Sequence, residues 1–79
     1  MMTREERILG ELNRAEQRIK AILQREVVDE KKLDEKIAYV EGLHKMLTLL
    51  GYKVIEDEDK AENVNGYWIN TYKAIEDVR

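Results

Sequence analysis

The sequence of 79 residues contains no cysteine, no proline, no phenylalanine and no serine. Without cysteine there is no disulfide, no thiol nucleophile and no Cys-based zinc site. Without serine, and with His44 as the single histidine, no Ser-His nucleophilic arrangement can be assembled. No apolar run approaches the roughly 20 residues that cross a bilayer, and Met1-Met2-Thr3-Arg4-Glu5-Glu6 does not read as a secretory signal. Glycine is confined to Gly10, Gly42, Gly51 and Gly66, which stand alone and form no phosphate-cradling loop. The expectation from these absences is a cytoplasmic protein that is not an enzyme, with no cofactor, no metal and no membrane partner.

Charge and apolar surface are both abundant. Charged residues make up 39% of the chain and the AVILMFWYC set 43%, with a formal net charge of -3. That balance lets a chain fold and stay soluble, and the length accommodates one small domain over 1–79.

Ile8, Leu12, Ala15, Ile19 and Ile22 recur at steps of four and three, with Leu9 and Leu23 beside them. This is the spacing of a helix that buries one stripe. Thr3 with Glu6 fits a capping box at its start, so the spacing predicts a helix over about 4–26. A second row runs Leu33, Ile37, Val40, Leu43, Leu47 and Leu50, predicting a helix over about 30–50. One unbroken helix through both rows is the rival reading. Extending the first heptad, however, would place Glu26, Asp29 and Lys36 in the core, and buried unpaired charge is costly. A break at the β-branched Val27 and Val28, with Asp29 as N-cap and Val28 stapled onto Leu33, avoids that cost. The two rows therefore predict an antiparallel helical hairpin. Gly51 is placed to close the second helix in a left-handed conformation, with Tyr52 folding back on Leu47.

Beyond Gly51 the pattern changes. Tyr52-Lys53-Val54-Ile55 and Tyr67-Trp68-Ile69-Asn70-Thr71-Tyr72 read as strands, and Asn65-Gly66 as a turn. They predict a two-stranded β-hairpin over about 52–72 with a connecting loop of about ten residues, leaving 73–79 as a terminal turn or frayed tail. The spacing of Trp68, Tyr72 and Ile75 offers a helix as the alternative for this last piece. The fold class expected is α+β, mostly α, dimerising into a helical bundle.

Two charged features stand out as candidate partner-binding residues. Arg7, Arg14, Arg18 and Arg25 fall on one line of the first helix, flanking its apolar stripe. In an antiparallel hairpin that row faces Lys32, Tyr39 and Met46, not the acidic row Glu30, Asp34 and Glu41 on the opposite edge. The second feature is the run Glu56, Asp57, Glu58 and Asp59, which fails the EF-hand template because no glycine occupies the bend. Nucleic-acid contact by the arginine row is disfavoured. The segment through Val28 holds six basic and five acidic residues, and the portion from Gly51 holds four basic and seven acidic. An acidic inhibitor that mimics nucleic acid is the competing class.

Size completes the reading. A core this small rarely supplies more than about 3–5 kcal/mol, and chains of this length often add oligomerisation. Tyr39, Met46 and Leu49 also lie outside the second helix's stripe. The expectation is a non-catalytic interaction or oligomerisation module, homodimeric, with an unidentified protein partner.

Overall fold

The computed structural model describes residues 1–79 as two helices followed by a β-ribbon, an α+β arrangement that is mostly helical. The first helix, α1 (Arg4–Leu23), begins at the reciprocal cap expected from its sequence. Glu6 N–H donates to Thr3 Oγ1 at 3.1 Å and Thr3 N–H donates to Glu6 Oε1 at 3.3 Å. It ends three residues short of the expected 26. Residues 24–29 form the connection, in which Val27 is exposed and Val28 packs against the core cluster that includes Leu33. A side chain from far along the sequence marks the end: Asn65 Nδ2 donates to Leu23 O at 2.7 Å, satisfying a carbonyl that the last turn leaves open. The second helix, α2 (Glu30–Leu49), starts where Asp29 Oδ1 accepts from Lys32 N–H at 3.1 Å. It closes at Gly51, whose φ of 90° lies in the left-handed region. The unbroken-helix rival is thereby excluded.

The C-terminal portion differs in register from its expectation. The ribbon has four strands: β1 (Tyr52–Glu56), β2 (Glu62–Val64), β3 (Tyr67–Ile69) and β4 (Tyr72–Asp77). β2 and β3 pair around Asn65-Gly66, with φ values of 51° and 91°, the two left-handed positions a two-residue hairpin turn requires. β1 pairs not with β3 but with β4, matching Tyr52 to Asp77, Val54 to Ile75 and Glu56 to Tyr72. The expected long loop is filled by a short 3₁₀ turn (Glu58–Lys60) and β2. The expected tail is a strand as far as Asp77, and neither half becomes helical. The break between β3 and β4 has a physical cause. Asn13 of α1 clamps the backbone of Tyr72 on both sides, Tyr72 N–H donating to Oδ1 at 2.8 Å and Nδ2 donating to Tyr72 O at 3.0 Å.

The ribbon covers one side of the helical hairpin and divides the interior in two. Near the helix connection, Ala15, Ile19, Ile22, Leu23, Leu33 and Val40 close around Ile69. At the other end, Leu12 and Leu47 pack with Tyr52, Tyr72 and Ile75. Lys20 Nζ reaches Glu62 Oε1 at 2.6 Å and ties α1 to β2. No helix is long and apolar enough to cross a membrane.

Candidate functional site

The four arginines of the row are all exposed, as a flank beside a buried stripe must be. The structure adds a residue that holds two of them, Arg14 and Arg18. Glu11 pairs with Arg14 at 3.1 Å and with Arg18 at 3.5 Å, and accepts from Tyr39 Oη of α2 at 3.0 Å. The hydrogen bond from Arg14, then that from Tyr39, holds its carboxyl below the usual range. Tyr39 thus stands opposite the arginine row, as the antiparallel wheel requires. Towards the helix connection the same flank opens into a groove of about 340 Å³ whose lining includes Arg18, Arg25, Lys32, Lys36 and Glu35. Arg25, Lys32 and Lys36 take part in none of the ion pairs of the structure. Arg7 lies on the same row but outside this groove, which Lys32 and Lys36 complete from α2; the lysines were not among the expected site residues.

The acidic run is not brought to the arginines. Glu56 ends β1, Asp57 precedes the 3₁₀ turn, and Glu58 and Asp59 lie within it. Asp57 is half-buried, its N–H donating to Thr71 O at 2.7 Å and its carboxylate 3.9 Å from Lys60. No group of three His, Asp or Glu side chains is arranged to hold a metal ion. What the run can do is solvate this end of the ribbon and carry negative charge.

Sequence reasoning missed a buried polar chain. Glu16 is 4% exposed, the one charged residue in the interior. Tyr72 Oη donates to Glu16 Oε1 at 2.7 Å, and His44 Nε2 lies 3.0 Å from the same Oη. The phenol has one proton and gives it to the carboxylate, so His44 Nε2–H is the donor at the other contact. Burial raises the Glu16 pKa, opposed by the Tyr72 hydrogen bond and the nearby imidazole. Burial and the Glu16 carboxylate push the Tyr72 phenol upward as well. His44 is half-buried, with the Glu16 carboxylate two hydrogen bonds away. The available signal was Glu16 itself, one turn after Leu12 and inside the apolar stripe.

Glu16 also reaches a cleft of about 240 Å³ between α1, α2 and β3. Ile19, Ile37 and Val40 are among its walls, Glu41 stands on its α2 side, and Tyr67 and Trp68 lie on its β3 side. Compared with models of protein families, with curated proteins and with solved structures, the chain matches none.

Proposed function

We propose that the protein is a non-catalytic interaction module that pairs with a second copy through the C-terminal end of α2 and offers its arginine–lysine groove to an acidic partner protein. One observation carries this reading: Met46, Leu49 and Leu50 are 59%, 78% and 53% exposed at one end of a helix whose ribbon-facing side is already packed. Apolar side chains gathered at a helix end favour burial against a partner. A second copy suits them because this end is remote from the groove, where copies of Arg18, Arg25, Lys32 and Lys36 would repel one another. The groove itself suits carboxylates, because its cations are short of partners within the chain.

Sedimentation equilibrium tests the pairing. The expected result is a dimer at micromolar concentration, and a folded monomer when Met46→Glu and Leu49→Glu are combined. A wild-type chain that stays monomeric throughout would refute it. For the groove, poly-glutamate and a single-stranded oligonucleotide are the probes. Preferential, salt-sensitive binding of poly-glutamate, lost in Arg25→Glu with Lys32→Glu, supports the protein-partner reading. Preference for the oligonucleotide replaces that partner by nucleic acid.

A further inference from the structure

We infer that the cleft between α1, α2 and β3 is a receptor for an arginine side chain of a partner polypeptide. Three features of the cleft converge on that chemistry. Glu16 lines it as a buried carboxylate, and Glu41 adds a second carboxylate on its exposed α2 side. Tyr67 and Trp68 border it with aromatic surface that is 45% and 65% exposed. Ile19, Ile37 and Val40 form apolar wall that the methylene stem of a long side chain can cover. A volume of about 240 Å³ is that of a side-chain receptor rather than of an extended groove.

Guanidinium fits this combination better than ammonium. It is planar, weakly hydrated, stacks on aromatic faces and forms forked hydrogen bonds to a carboxylate. Within the chain Glu16 Oε1 accepts from the Tyr72 hydroxyl, and no lysine or arginine forms an ion pair with Glu16. A cation entering the cleft would therefore offset the desolvation that disfavours the Glu16 carboxylate. The exposed aromatic surface of Tyr67 and Trp68 beyond the cavity gives the residues flanking an inserted arginine something to cover, which a free amino acid would leave bare. This cleft lies on the ribbon side of the hairpin, distinct from the arginine–lysine groove, and does not depend on it.

Trp68 is the only tryptophan and borders the cleft, so its fluorescence reports on binding there. The experiment titrates the full chain with a blocked pentapeptide carrying one central arginine, with the same peptide carrying citrulline or lysine, and with N-acetyl-arginine amide. The expected result is a saturable change in Trp68 emission with the arginine peptide. Citrulline, which keeps the shape without the charge, should bind about tenfold or more weakly, and lysine by a smaller factor. Glu41→Gln, an exposed change that leaves the interior untouched, should weaken binding several-fold. Glu16→Gln should weaken it further, with circular dichroism confirming that it stays folded. Equal response to arginine and citrulline peptides, no saturable response, or a Glu41→Gln variant that binds as well as wild type would each overturn the inference. Equal affinity for N-acetyl-arginine amide and the arginine peptide would overturn the polypeptide as the source.

Discussion

Tyr72 joins three elements through one side chain: its backbone is held by Asn13, its hydroxyl donates to Glu16, and the same oxygen meets His44. Removing that hydroxyl leaves a buried carboxylate without its shortest donor. Tyr72→Phe is therefore expected to lower stability by about 1–3 kcal/mol in urea denaturation. Tyr39→Phe, which removes an exposed hydrogen bond to Glu11, should change little. Glu16 makes a second prediction. Because burial raises its pKa above the ordinary 4.5, the folded protein binds this proton more tightly than the unfolded chain. Its contribution to stability is largest below the unfolded value and is lost as pH rises through the folded one. Glu11 and Asp77 act in the opposite direction. Their carboxyls are held low, that of Asp77 to about 2 by Arg79, so their contributions are present above the ordinary range and lost on acidification. Subtracting the Glu16→Gln melting curve from that of wild type removes those shared terms. The difference should move in favour of wild type as pH falls from neutrality to about pH 4. A flat difference would place Glu16 outside the low-dielectric interior.

At the scale of elements, two glycines separate helix propensity from backbone geometry. Gly42 lies in the exposed part of α2, and a Cβ there would meet nothing within 4 Å. Gly42→Ala should raise stability by about 1 kcal/mol, read in the same denaturation experiment. Gly51 has the opposite character. Its φ of 90° disfavours any L side chain, and an added Cβ would collide with the Arg79 side chain. Gly51→Ala should lower stability by about 1–2 kcal/mol. The helices were legible in the sequence because their signals are local: a cap, a stripe at steps of three and four, a glycine at the end. The ribbon was only half legible. Asn65-Gly66 marks its turn by itself, but Lys73, Ala74, Glu76 and Asp77 carry little strand preference. They become β4 because β1 offers its edge and Asn13 holds Tyr72 in place.

Across the whole molecule, dimensions of 43 × 25 × 24 Å describe a two-layer body, helices on one side and ribbon on the other. Only 13 of 79 residues are buried, so the interior is thin and a second copy would add substantially to it. If the chain pairs through Met46, Leu49 and Leu50, its melting temperature should rise with protein concentration. The Met46→Glu, Leu49→Glu variant should melt at a single temperature over the same range, as differential scanning calorimetry would record. The charged groove was legible only in part. The arginine row and its facing of Lys32 follow from helical spacing, but the addition of Lys36 and the exclusion of Arg7 depend on how the second helix lies against the first.

Sequence alone determined the two capped helices, a break between them at Val27 and Val28, the flank on which the arginines lie and the tight turn at Asn65-Gly66. Each of these follows from interactions within a few residues along the chain. Tertiary structure alone decided the β1–β4 pairing, the Asn65 cap on Leu23, the burial of Glu16 between Tyr72 and cleft, and the placing of Glu41 and Trp68 on one cleft. Those depend on groups as much as 59 residues apart. Their partners are chosen by packing and by the need to satisfy buried polar atoms, which no local pattern encodes.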